Sequence, residues 1–330
     1  MILKSTPQLF LKRCGGLYFL VFVLTGCSQE LLVKETRVLM DTYAEISCYS
    51  SDRNNAINAI DAAFKETKRI EKVFSKFDED SEVSKINRLA GLEKVNANEE
   101  VLSLIERSIY YSKISDGAFD ITVAPLMEIW GFVRKHQSIP DRGAIENTLK
   151  SVGYHNIELN LGELSIRFLN RGAKIDLGGI AKGYAADRAK DILVSHGIKN
   201  GLVNLGGNIY ALGKASGGRS WNIGVQDPRN KGKLLKSFEL TNKAISTSGN
   251  YERFFEIGGK RYSHIINPVS GEPCQGIISV TVAADSAEEA DALSTVIFVL
   301  GEEKGINLAK SIKDIEVLIL TEEGEIIAYP

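Results

Sequence analysis

Residues 176–187 read Asp-Leu-Gly-Gly-Ile-Ala-Lys-Gly-Tyr-Ala-Ala-Asp. The stretch joins a strand-like approach at 173–176 to a helix expected over 180–196, with Gly197 placed to close it. Paired glycines let backbone come close to a ligand. A helix N-terminus offers free N–H groups and a positive dipole end, which suit phosphate, and Lys182 adds a point charge. The pattern is neither a Walker loop nor the dinucleotide fingerprint. Two readings stand on these residues alone: a phosphate cradle, or a helix start whose glycines serve packing.

Working outward, strands are expected near 156–169 before this stretch, and near 201–213, 221–225, 235–247, 254–257, 261–266 and 277–284 after it. Val38–Tyr49 reads as a strand. Apolar residues at Ala56, Ile57, Ile60, Ala63, Phe64, Ile70, Val73 and Phe74 recur near 3.6 residues, which predicts an amphipathic helix over 54–74. Further helices are expected at the end of 75–87, over 99–115, 122–130 (with Pro125 in the first turn) and 143–151. An apolar helix over 286–299 is ended by Gly301, followed by a helix at 303–311 and strands at 315–320 and 324–328. The mixture has no regular βαβ rhythm, so the expected class is α+β, not a doubly wound sheet.

Three polar segments carry candidate chemistry. Asp291 and Thr295 are i and i+4 on one face of the apolar helix. A carboxylate plus a hydroxyl on one face can hold Mg²⁺ beside phosphate oxygens; the other reading is a capped or solvent-facing Asp, an idle charge being costly in so apolar a run. His264 begins His-Ile-Ile-Asn-Pro at a strand end. It is the best-placed acid/base candidate of four histidines, or a structural one. Asn204-Leu205-Gly206-Gly207-Asn208 is a second Gly-Gly turn, a plain tight turn by itself.

The N-terminus reads as an address. Lys4, Lys12 and Arg13 precede an apolar run from Leu17 to Leu24. That run falls short of the roughly 20 residues a membrane span needs. Leu24-Thr25-Gly26-Cys27 then resembles a bacterial lipobox. The expectation is a signal peptide over 1–26, a lipidated Cys27, a tether over 27–36 and one domain over 37–330. The mature protein would be lipid-anchored at the bacterial cell envelope, facing the extracytoplasmic side. Cys48 and Cys274 could pair there or remain two thiols.

Composition excludes several classes. With 44% hydrophobic and 25% charged residues, 30 Gly and 7 Pro, the 330-residue chain is neither collagen-like nor disordered. Its 40 Lys and Arg against 42 Asp and Glu give a net charge of −2, which offers no basic face for nucleic acid.

Taken in order, Met40-Asp41-Thr42, Phe77–Asn87, Asp116–Phe132, Asp176–Asp187, Asn204–Asn208, Thr247-Ser248-Gly249-Asn250-Tyr251, His264–Gly271 and Ala290–Gly301 resemble the ApbE family of FAD:protein FMN transferases, from about Arg37 to Ala328. The resemblance implies an α+β body with antiparallel sheets and an FAD cleft between two lobes. It implies Mg²⁺ on Asp291, Thr295 and the carbonyl of Gly179. FAD contacts would come from Met40, Phe77, Ala118, Phe119, Asp120, Asp176, Lys182 and Ile265. His264 would help deprotonate the acceptor hydroxyl. The implied acceptor is a flavoprotein subunit of a membrane redox complex or a related protein. Water in place of that acceptor would make the chain an FAD pyrophosphatase, and binding without chemistry would make it an FAD-binding protein. Two positions depart from the family pattern: Asp41 stands where Gly is common, and Phe77 where Tyr is common.

Overall fold

The computed structural model describes residues 30–133 and 137–330. The expected signal peptide and Cys27 lie outside them. The chain first forms a hairpin, β1 (Leu31–Leu39) and β2 (Thr42–Ser50). Met40 and Asp41 make its two-residue turn, both with positive φ (53° and 59°), the geometry that matches strand twist. Residues 31–36, expected as tether, are therefore in the sheet. Val33 is the one residue of β1 with its side chain fully in the core. The polar run Lys34–Arg37 hid an edge strand that only pairing with β2 reveals.

The remaining elements are α1 (Arg53–Phe74), α2 (Glu82–Leu89), β3 (Val95–Asn96), α3 (Glu99–Ile114), α4 (Ala124–Ile129), α5 (Arg142–Leu149), β4 (Ile157–Asn160), β5 (Ser165–Phe168), α6 (Ala181–Ser195), β6 (Asn200–Leu205), β7 (Asn208–Leu212), β8 (Trp221–Gln226), β9 (Leu234–Leu240), β10 (Lys243–Gly249), β11 (Phe254–Ile257), β12 (Lys260–Ser263), β13 (Ile277–Ala284), α7 (Ala287–Ala309), β14 (Glu316–Thr321) and β15 (Ile326–Tyr329). Eight strands form one antiparallel sheet in the order β1-β2-β6-β7-β10-β13-β14-β15. The fold is α+β, as expected.

Helices α1, α6 and α7 lie side by side against this sheet. Helix α1 starts at Asp52, whose carboxylate accepts the N–H groups of Asn54 (2.9 Å) and Asn55 (3.1 Å). It buries Ala56, Ala59, Ile60, Ala63, Phe64, Ile70 and Phe74, the stripe its periodicity predicts. Helix α7 is broken at Gly301 (φ 78°), where two helices were expected to meet. The ribbon β8–β9 pairs in a separate two-stranded sheet. It packs Phe238 and Leu240 against Ala211, Ile245, Ala283 and Leu318 of the large sheet.

A smaller core of Leu126, Met127, Trp130, Ile145, Val152, Phe255 and Ile266 unites α4, α5 and the β11–β12 hairpin. The hairpin delivers His264 directly after its last strand. Residues 173–176, expected as a strand, pair with no strand. Asn87 takes that role: its Oδ1 accepts the Ile175 N–H at 2.7 Å and its Nδ2 donates to the Ile175 carbonyl at 2.9 Å.

Candidate active site

The Gly-Gly turn at 178–179 ends in α6, and α6 packs on the first turns of α7. The contact is close because position 183 has no side chain. A Cβ there would lie 2.1 Å from the Ala287 carbonyl oxygen and 2.7 Å from Asp291 Cβ. The Gly183 N–H instead donates to Asp291 Oδ2 at 2.9 Å. Asp291 is 3% exposed. Burial pushes its carboxyl above the usual range, against the nearby charge of Lys182 and the Gly183 hydrogen bond. Lys182 Nζ stands 3.9 Å from Asp291 Oδ1.

One turn along α7, Thr295 lies 3.2 Å from the Ser248 hydroxyl, while Ser294 bonds that hydroxyl at 2.8 Å. Ser248 belongs to the Thr247–Tyr251 motif on β10. A Cβ built on Gly179 would sit 3.4 Å from Thr295 Oγ1 and 3.2 Å from the Phe119 ring. Gly179, Asp291 and Thr295 are thus brought together from two chain segments. They offer a carboxylate, a hydroxyl and backbone carbonyl oxygen, a hard donor set that fits a small divalent cation. No group of three or more His, Cys, Asp or Glu side chains suited to a metal occurs among the described residues. A cation here would take neutral oxygens as well.

His264 continues the hairpin. Its N–H donates to the Arg253 carbonyl at 2.9 Å, and its Nδ1 lies 3.1 Å from the same oxygen. That contact assigns the ring proton to Nδ1 and leaves Nε2 as the acceptor. Burial, with the charges of Arg253 and Lys182, lowers the imidazole pKa to about 4. The ring is neutral at pH 7, as a general base must be. Asp176 is close enough to His264 for their charges to interact.

Asp176 is held on both oxygens. Its Oδ1 accepts the Gly178 N–H at 2.9 Å, and its Oδ2 pairs with the Lys76 ammonium. Burial works against its charge, but Lys76 and the hydrogen bonds from Lys76 and Gly178 keep its carboxyl below the usual range. The same ammonium lies 5.1 Å from the centre of the Phe77 ring, which is 54% exposed. Lys76 carried no signal in the sequence, since a lysine in a polar loop reads as solvated.

The other expected FAD contacts fall into two groups. Met40 sits in the β1–β2 turn, its N–H donating to Glu71 at 2.5 Å. Neighbouring Asp41 reaches Arg253 at 3.6 Å. Ile265 is buried beside His264, its carbonyl accepting the Cys274 N–H at 2.9 Å. By contrast, Ala118 and Phe119 are buried, with Phe119 against Tyr111. Asp120 turns inward: Oδ1 accepts from the Thr122 N–H (2.8 Å) and hydroxyl (2.6 Å), and Oδ2 from the Tyr154 N–H (2.6 Å). Its carboxylate ties two loops together, a role its place in the motif does not reveal.

Asn204–Asn208 supports the site. The turn brings Gly206 against Thr42, where a Cβ would lie 2.3 Å from the threonine hydroxyl. Asn208 Oδ1 accepts from Ser246 on β10 at 2.7 Å. Cys48 and Cys274 are free thiols, pushed by burial to about 11 and about 12. The broad charged depression walled by Glu100, Arg107, Tyr184, Asp187 and Glu288 shares no residue with the site.

The ApbE family model matches residues 40–319, a span that takes in every one of these site residues. The chain belongs to the ApbE family. It is 31% identical to the FAD:protein FMN transferase of Treponema pallidum, over 93% of this chain and 90% of that protein. It is 33% identical to one from Klebsiella pneumoniae, over 91% and 92%. The crystal structure of the ApbE protein from Thermotoga maritima superposes with a TM-score of 0.84 at 37% identity, covering 90% of this chain and 96% of that one. The antiparallel sheet, with its cover of helices, is thus the ApbE fold.

Proposed function

We propose that this protein transfers FMN from FAD to a threonine or serine hydroxyl of an acceptor flavoprotein and releases AMP. The relatives named FAD:protein FMN transferase support the reaction. The observation that carries the mechanism is the buried Asp291 carboxylate, held by the Gly183 N–H at 2.9 Å beside Thr295 and Gly179. A buried carboxylate with few partners is costly unless a cation joins it. Asp291, Thr295 and the Gly179 carbonyl would hold Mg²⁺. When bound there, the ion supplies charge screening of the pyrophosphate and of the departing phosphate.

The chain's own groups do the rest. The α6 N-terminus and Lys182 hold non-bridging phosphate oxygens. Phe77 offers an exposed ring on which an aromatic system can stack. His264 Nε2 takes the proton from the acceptor hydroxyl, a poor nucleophile at pH 7 without a base. The hydroxyl oxygen bonds to the FMN phosphorus, the anhydride P–O bond breaks, and AMP leaves with that oxygen. Lipidation of Cys27 after removal of residues 1–26 would hold the enzyme at the extracytoplasmic face of a bacterial membrane, within reach of a membrane redox complex. Among the described residues no helix is long and apolar enough to cross a membrane.

The test is incubation with FAD and Mg²⁺, with and without an acceptor domain, followed by AMP assay and mass spectrometry of the acceptor. AMP that appears with the acceptor, together with an FMN mass increment, is the expected result. Acceptor-independent AMP would make the enzyme a pyrophosphatase, and no AMP would leave a binding protein.

A further inference from the structure

The Lys76 ammonium occupies an unusual place. It comes from the connection after α1, yet it pairs with a carboxylate 100 residues later in the chain. The side chains of both partners are largely buried, at 15% and 14% exposed. The same ammonium lies beneath the exposed Phe77 ring. It therefore joins two segments far apart in the chain, the α1–α2 connection and the Asp176–Gly179 turn. Asn87 of α2 holds the residue just before Asp176, through its paired hydrogen bonds to Ile175.

We propose that Lys76 is a positioning residue for FAD recognition: it fixes Asp176 as an ionised hydrogen-bond acceptor aimed at an N–H or O–H donor of the FAD molecule. This rests on the transferase reading, because it takes FAD as the substrate. The argument is one of charge and desolvation. A carboxylate with this little exposure stays ionised only beside a compensating charge. Lys76 is the closest cation to Asp176. His264 is neutral at pH 7 and supplies no full charge, while Lys182 and Arg253 face His264. Oδ1 is already bonded to the Gly178 N–H, yet each carboxylate oxygen accepts more than one hydrogen bond. Loss of Lys76 would therefore favour the protonated acid, which offers a donor where the ligand needs an acceptor.

The experiment compares FAD dissociation constants and transfer kinetics of wild type, Lys76→Met, Lys76→Arg, Asp176→Asn and the Lys76→Met/Asp176→Asn double variant. Mg²⁺ is present throughout, from pH 8 to pH 5.5. Wild-type affinity should stay level over this range. Lys76→Met should bind FAD about tenfold more weakly at pH 7, the scale of one charge-assisted hydrogen bond. Its affinity should weaken further as pH falls, with the loss carried by KM more than by kcat. Lys76→Arg should restore affinity and the level profile. Asp176→Asn should be weak at every pH, and the double variant no weaker than Asp176→Asn.

Unchanged FAD affinity in Lys76→Met would overturn the proposal. So would an equal loss at every pH with Asp176→Asn unaffected, since Lys76 would then grip the phosphates itself. If Lys76→Met does not fold, wild-type affinity in a folded Asp176→Asn overturns it alone. The transferase reading fails separately, if wild type binds FAD but modifies no acceptor.

Discussion

Gly183 and Asp291 approach each other across two helices so closely that the N–H of one bonds the carboxylate of the other at 2.9 Å, with no room for a side chain between them. The backbone contact aims the carboxylate. It also makes position 183 a test of whether that aim matters.

Gly183→Ala places a Cβ 2.1 Å from a backbone carbonyl, and backbone cannot rotate away as a long side chain could. Helices α6 and α7 must part. The expected cost is about 1–3 kcal/mol of stability, as for other overpacked sites. AMP release should drop steeply even at temperatures where the variant is folded, measured by circular dichroism and AMP assay together. A variant with full activity would separate this contact from the chemistry.

Asp291→Ala should abolish AMP release and leave the fold intact. Thr295→Ala should be milder, because water replaces a neutral hydroxyl more easily than a carboxylate charge. Burial raises the Asp291 pKa above its unfolded value. The stability it contributes is therefore present below the unfolded pKa and lost as pH rises through the folded one. Asp291→Asn should accordingly leave the metal-free protein at least as heat-stable as wild type at pH 7, and remove the rise in Tm that Mg²⁺ gives wild type. Thermal melts with Mg²⁺ and with EDTA read both effects.

His264→Ala should slow single-turnover FMN transfer by about 10² to 10⁴ while FAD affinity changes little. An imidazole in water would lose its neutral form as pH falls through about 6.5. Here burial moves the transition to about 4. Transfer limited by this base should therefore stay level down to about pH 5 and fall below it. A rate that already halves near pH 6.5 would assign the proton to another group.

Cys27→Ala should release the protein from membranes or block its processing. Cell fractionation and mass spectrometry of the mature N-terminus decide this. An unmodified first residue other than Cys27 would remove the anchor.

Some of the residues that the structure brings together stood out along the chain. Asp291 and Thr295 stand one helical turn apart in a run that is apolar but for Ser294, and such a carboxylate invites a chemical reading before any fold is known. Motif order singled out His264 and the Gly178-Gly179 turn. What the motif did not reveal is that the Asp120 carboxylate ties Thr122 to Tyr154. The edge strand β1 escaped for a related reason: most of its side chains remain outside the core, so alternation is faint.

What the sequence by itself determined is local. Asp52 accepting the first N–H groups of α1, the apolar stripe of that helix and the break at Gly301 follow from nearest neighbours, as capping and backbone freedom do. What only the tertiary structure decided is which charges meet. Lys76 on Asp176, and Lys182 beside Asp291, join segments about a hundred residues apart. The strength of each pairing depends on separation and on the water that packing removes, and both are set only when the fold brings these distant segments together.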